Sequence, residues 1–212
     1  MKDIPSATVI GDVVGSRTAA DRPALHRGLT AALDEANARF SPARPFRVTV
    51  GDEYQGCFDA LGPALAASLH LRLALVPDVD VRHGLGWGPV QQLDGEVEDG
   101  PGWWAAREAI EAVKREAGAA TRSRRTAYVV HRGDWVPGPD PAAVNAALLL
   151  RDELLARADE RAMSVLRGLL DGMTQNAIAT ALGVSPSAVS QRVRGDSLGA
   201  IVSAQRLLEE VA

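Results

Sequence analysis

The sequence predicts a mixed α+β chain: an antiparallel sheet with helices on one face, followed by an all-α tail that contains a helix-turn-helix. Three observations predict it. Short apolar runs alternate with helical patterns up to about residue 130, in the order β-α-β-β-α-β-α-β. The stretch Val136-Pro-Gly-Pro-Asp-Pro141 then reads as a linker. From about Ala142 onward every pattern has helical period. The expected division is an α+β domain over 1–138, a helical connector over 139–159 and a small helical domain over 160–212.

The elements follow in order. Ala7–Val14 is a short apolar run, read as a buried strand ended by Gly15-Ser-Arg. Asp21-Arg-Pro opens a helix with Leu25, Leu29, Ala32, Leu33 and Ala36 on one stripe. Phe46–Val50 and Tyr54–Phe58 are strands joined by the tight turn Gly51-Asp-Glu. A helix runs from Gly62-Pro to Leu75 and a strand from Val79 to Gly86. The polar, Gly-containing stretch Leu93–Gly102 reads as a loop before a helix over Trp103–Ala117. Thr126–Val130 is the last strand. Helical patterns then occupy 142–157, 160–171, 174–182, 186–194 and 197–211.

Composition bounds the function. The net charge is −4, so the chain is not a general nucleic-acid sponge, and any DNA contact must be local. Residues 161–212 carry five Arg against four Asp and Glu, only weakly basic. A single cysteine, Cys57, excludes an internal disulfide framework and reads as a small buried hydrophobe. No apolar run approaches spanning length and no signal peptide opens the chain, so the expected location is cytoplasmic.

The tail carries the sharpest local signal. Thr174 is placed to cap a short helix with Ile178 and Leu182 on its buried stripe, and Gly183 ends it in a left-handed turn. Val184 is expected to plug the angle between two helices. Ser185 caps the second helix, with Pro186 at its first position. Val189 and Val193 turn that helix inward. This leaves Thr174, Gln175, Ser185, Ser187, Ser190, Gln191, Arg192 and Arg194 as candidates to meet double-stranded DNA: short polar groups for base edges, arginines for phosphates. Two packed helices of any α-domain are the plain alternative.

Two carboxylate features stand in apolar surroundings. Asp12 interrupts a strand, and Asp52 and Glu53 sit at the tip of a hairpin. A buried acid is costly unless paired or metal-bound. If adjacent strands bring Asp12 near Asp52, a Mg²⁺ between them relieves their repulsion, with phosphates as further ligands. The alternatives are an exposed Asp-Glu turn and an Asp12 that bonds the backbone at Gly15-Ser16.

These residues lie in three longer motifs. Ile10-Gly-Asp-Val-Val-Gly-Ser-Arg17, Gly51-Asp-Glu-Tyr-Gln-Gly56 and Asp99-Gly-Pro-Gly-Trp-Trp-Ala-Ala-Arg-Glu-Ala109, with the helical pair behind them, resemble the SatD family over nearly the whole chain. No activity follows from that name. More distantly, the first domain resembles the ferredoxin-like, palm-type catalytic domain of class III nucleotide cyclases and GGDEF diguanylate cyclases. There, an Asp on the first strand and an acid on the hairpin hold two divalent metals on a nucleoside triphosphate, and Asp12 and Asp52 match those positions. The resemblance implies Asp12, Asp52 and Glu53 as metal ligands. Gly15, Ser16, Arg17, Gly51, Trp103 and Arg107 become candidates to hold a nucleotide or phosphorylated ligand. The departures are Val48 where class III enzymes carry a base-reading Lys, Trp103 where they carry a transition-state Asn, and one glycine, Gly51, where GGDEF enzymes carry two.

Several residues keep two readings. Arg17 either clamps a phosphate or pairs with Asp21. Trp103 and Trp104 either both pack in the core or divide between core and a base. His83 reads as a satisfied structural histidine, and Arg122, Arg124 and Arg125 as a solvated turn. The leading expectation is a DNA-binding transcriptional regulator whose palm-like domain binds a nucleotide with Mg²⁺. The alternatives are a metal-dependent nucleotidyl-transfer or cyclase-like enzyme with a helical adaptor tail, and a palm-like dimerisation module without ligand. A homodimer is expected, through the palm or through the apolar stripe Val144, Leu148, Leu149 and Leu155 of the connector.

Overall fold

The computed structural model describes residues 4–16, 21–94, 97–116, 123–135 and 137–211. Strand β1 (Pro5–Val13) is central in a five-stranded sheet, and helix α1 (Arg22–Phe40) follows it. A hairpin of β2 (Arg44–Val50) and β3 (Glu53–Phe58) leads to α2 (Leu61–Leu75) and β4 (Val81–Pro89). A short hairpin, β5 (Gln91–Asp94) and β6 (Val97–Asp99), precedes α3 (Pro101–Glu116) and β7 (Thr126–Val130). Five helices complete the chain: α4 (Pro141–Arg157), α5 (Glu160–Leu170), α6 (Gln175–Leu182), α7 (Pro186–Gly195) and α8 (Leu198–Glu209).

The main sheet has the order β2-β3-β1-β4-β7. It is mixed rather than antiparallel, because β7 pairs with β4 in parallel. The crossover that makes this possible is α3, and it occupies the face opposite α1 and α2. The expectation of helices on one face is therefore corrected to helices on both. The reason lies in β4: a Cβ on Gly84 would run into the carbonyl of Ala106 and the amide of Ile110, so the strand offers a bare track on which the backbone of α3 lies. Burial on both faces also explains why β1 is apolar along its length rather than alternating. Ala7, Val9 and Val13 face α1 and α2, while Ile10 packs against Trp103, Ala106 and Ile110 of α3.

Helix α2 is apolar nearly all round because it is covered twice. Ala64, Leu65 and Leu71 pack toward the sheet, while Leu69 and Leu73 join a second core with Leu155, Leu166, Ile178 and Val202. The C-terminal end of the chain returns to this helix: the Gly62 amide donates to the Val211 carbonyl at 2.9 Å. Val144, Leu148 and Leu155 of α4 are buried within the chain and Leu149 is half-buried, so most of the stripe that suggested a dimer contact already has its partner. No helix among the described residues is long and apolar enough to cross a membrane.

Candidate functional site

The β2–β3 turn is two residues long, since Val50 pairs with Glu53. Gly51 supplies its φ of +63°. The turn brings Asp52 against the end of β1, where its Oδ2 accepts from the Val13 amide at 3.2 Å. With Ser16 and Gly51, Asp52 lines a hollow of about 260 Å³ that also contains Arg22 and His26. Gly15 lies beside it with φ +73°. Arg17 and Arg122 lie outside the described residues.

Asp12 and Glu53 point to the other face, toward α3, and there they meet cations. Asp12 Oδ1 accepts from Arg82 Nε at 3.1 Å, and its Oδ2 lies 3.0 Å from Lys114 Nζ. Glu53 accepts a bidentate pair from Arg107, both at 2.6 Å. That hydrogen bond holds the Glu53 carboxyl below the usual carboxylate range, against the opposing effect of its burial, and raises Arg107 in turn. Asp12 is buried, while Arg107 and Lys114 are partly open to solvent. The result is a cluster of alternating charge at one end of the sheet.

Arg82 and Lys114 are absent from the sequence reading. Arg82 faces Asp12 directly across the β1–β4 ladder, a register that only the paired strands reveal. Lys114 carried a signal that periodicity makes visible: Trp103, Arg107, Ile110 and Lys114 recur at helical spacing along α3.

This arrangement bears on Mg²⁺. Among the described residues no group of three or more His, Cys, Asp or Glu is placed to hold a metal ion. The oxygens of Asp12 and Glu53 serve two guanidiniums, of Arg82 and Arg107, and the ammonium of Lys114, which also lies 3.8 Å from Glu111 Oε1. A divalent ion between these carboxylates would have to displace Lys114 or Arg107. The site as arranged does not fit the ion.

Trp103 and Trp104 divide their roles. Trp103 is buried against Ile10 and Ile110, and its indole Nε1 has no hydrogen-bond partner. Trp104 is exposed, donates from Nε1 to Asp99 at 2.7 Å, and meets His131 edge-on. His83 is fully enclosed and bonded to the Tyr54 hydroxyl at 2.7 Å. Burial, with Arg151 and Arg72 nearby, pushes its imidazole down to about 3, so it is neutral.

Arg124 and Arg125 do not form a solvated turn. Arg124 donates to Glu116 and Asn145, and Arg125 to Asp80 at 2.6 Å. They belong to a buried network in which Asp152 accepts from Arg72 and from the amides of Arg125 and Thr126.

In the tail, the local chemistry is as the sequence predicts. Thr174 accepts from the Ala177 amide, Gly183 takes φ +65°, and Ser185 accepts from the Ala188 amide. The hinge is not. Leu182 and Val184 stand 40% and 37% exposed, because α6 is only eight residues long and anchors through Ile178 and Ala179. Ser187 bonds Ser185, and Arg192 is held by Asp159 at 2.8 Å and Asp196 at 3.1 Å. Gln175, Ser190, Gln191 and Arg194 remain wholly or partly exposed.

The family model of the SatD family matches residues 7–208. The chain belongs to the SatD family. No curated protein matches its sequence. Among solved structures, this SatD-family chain is similar to a bacterial light-regulated adenylyl cyclase at 13% identity and a TM-score of 0.47, over 59% of this chain and 43% of that one. It thus spans less than half the length of that protein. It is similar to an adenylate/guanylate cyclase/hydrolase from Silicibacter pomeroyi at 22% identity and a TM-score of 0.43, over 53% of this chain and 71% of the other. It is also similar to the guanylate cyclase domain of RhGC from Catenaria anguillulae in complex with GTP, at 20% identity and a TM-score of 0.43, over 52% and 75%.

The expectation of a DNA-binding transcriptional regulator is corrected here. The arginine expected on a DNA phosphate, Arg192, is held instead in two ion pairs, by Asp159 and Asp196.

Proposed function

We propose that this SatD-family chain is a nucleotidyl-transfer or cyclase-like enzyme acting at the charged end of its sheet, with α5–α8 as an adaptor. The observation that carries the reading is the meeting of Asp12, Glu53, Arg82, Arg107 and Lys114 at an open sheet end, beside the hollow at Asp52. Fixed cations at the position of developing phosphoryl charge are what such a reaction requires of a protein. A triphosphate brought to this end competes with the carboxylates for Arg107 and Lys114. In the transfer, a hydroxyl oxygen bonds to the α-phosphorus while the bond to the pyrophosphate oxygen breaks. Asp12 takes the hydroxyl proton, and Arg107 and Lys114 offset the charge gathering on the departing pyrophosphate. Asp12 and Glu53 already serve cations, so the chain's own side chains carry the step.

The test is incubation of the full chain with each of the four NTPs, with and without Mg²⁺, following pyrophosphate and cyclic product. Release from at least one NTP is expected. Lys114→Ala or Arg107→Ala should slow it by about 100-fold, the scale of one lost transition-state donor. Absence of pyrophosphate under every condition overturns the proposal.

A further inference from the structure

Helices α4 and α8 lie against each other and run antiparallel: Val144 and Leu148 share a core with Leu208, while Leu155 shares the second core with Leu198 and Ile201. Their outer flanks repeat one pattern. Ala143, Ala147 and Leu150 on α4 have the same spacing as Ala200, Ala204 and Leu207 on α8, steps of four and three that keep side chains on one helix face. In each set the first alanine is exposed, the second is half-buried and the leucine is 67% exposed. Between Ala143 and Leu150 the chain carries no charge. This face is distinct from the buried stripe Val144, Leu148 and Leu155 of the same helix. Large apolar side chains open to water on two neighbouring helices mark an interaction surface.

The ends of this face and its size select the partner. Asp140 caps the start of α4, and Arg157, whose side chain is 72% exposed, ends it. Let a second α4 lie antiparallel on the first, with Leu150 of each copy opposite Ala147 of the other. The same register then sets Arg157 opposite Asp140 at both ends. Leucine meets the shallow that alanine leaves, and the end charges are complementary. Leu207 is about level with Leu149, since Arg151 donates to Gln205, so it falls near the two-fold axis and meets its own copy. From Asp140 to Arg157 the helix is about 25 Å long, and two packed helices present a face about 20 Å wide. Each copy then contributes about 500 Å², or about 1,000 Å² in total, the lower bound of a specific interface.

We infer that the α4–α8 face is the contact between two copies of this chain, a two-fold dimer with antiparallel α4 helices. It uses no residue of the charged cluster, so it stands whether or not the proposed reaction does. Sedimentation velocity on the full chain at micromolar concentration should show a dimer. Leu150→Asp and Leu207→Asp each put a charge in the middle of the contact and should weaken it at least about 100-fold. Both positions are open to solvent in the single chain, so circular dichroism should show unchanged helix content. Arg157→Glu sets like charges against Asp140 and should weaken the dimer about tenfold. Adding Asp140→Asn, which keeps a capping side chain, removes that repulsion and should recover several-fold of the loss. A monomeric wild type overturns the inference, as does a dimer that persists in both leucine variants. An Arg157→Glu variant that dimerises like the wild type, or whose loss is not relieved by Asp140→Asn, overturns the antiparallel register.

Discussion

Two clusters of arginine and aspartate sit within one small fold, and they are built differently. The inner one joins Arg72, Asp80, Arg125, Arg151 and Asp152 beneath α4. Asp152 is fully buried and accepts from Arg72 and two backbone amides, while Arg151 donates to Gln205 and Thr126. The outer cluster joins Asp12, Glu53, Arg82, Arg107 and Lys114, and its members pair with side chains alone and open onto solvent. The inner network ties three helices to the sheet, with backbone donors that no ligand displaces. The outer one holds cations that a stronger anion can take. Buried charge with every partner fixed is structure; paired charge at an open edge, beside a cavity, is poised for a ligand.

The largest expected effect breaks the inner cluster. Asp152→Ala leaves Arg72 without one partner and two amides at the start of β7 unsatisfied. It should cost about 3–5 kcal/mol in urea denaturation, the usual cost of stranding a buried charge. A loss no larger than that of Glu53→Gln would erase the distinction between the clusters.

The next effect is in pH. The unfolded His83 imidazole takes a proton near its ordinary 6.5, the folded one only near 3. Between these values the unfolded state binds more protons. The contribution is therefore complete above pH 6.5 and is lost as pH falls toward 3, at up to about 1.4 kcal/mol per pH unit. Thermal melts of the wild type should fall along this window, and His83→Gln should flatten the slope whatever its starting stability. An equal slope in both proteins would place the acid sensitivity elsewhere.

The smallest expected effect on stability comes from the outer cluster. Glu53→Gln removes a half-exposed pair and should cost less than about 1 kcal/mol. It also releases Arg107 and removes a negative charge, so tripolyphosphate should bind about three- to tenfold more tightly. Weaker or unchanged binding by calorimetry would detach Arg107 from the phosphate path.

Much of the fold was legible locally. The strand Thr126–Val130 and the caps at Asp21, Thr174 and Ser185 are set by residue type and near neighbours. The β5–β6 hairpin was hidden in a stretch that read as loop, because β5, Gln91–Asp94, is exposed throughout and carries a single apolar residue, Leu93. The acids of the site were visible as charges in apolar surroundings. Their partners were not, since Arg82 reaches Asp12 only through strand pairing across 70 positions of sequence.

The sequence by itself determined the caps at Asp21, Thr174 and Ser185, most strands of the main sheet, and which carboxylates stand out. Caps, periodicity and turn glycines act over a few residues, so the chain carries them without help from its fold. Only the tertiary structure decided that α3 takes the second face of the sheet and that α2 is covered on both sides. It alone gave Asp12 and Glu53 to cations. These outcomes depend on which distant groups share a face, and pairing and packing set that, not spacing along the chain.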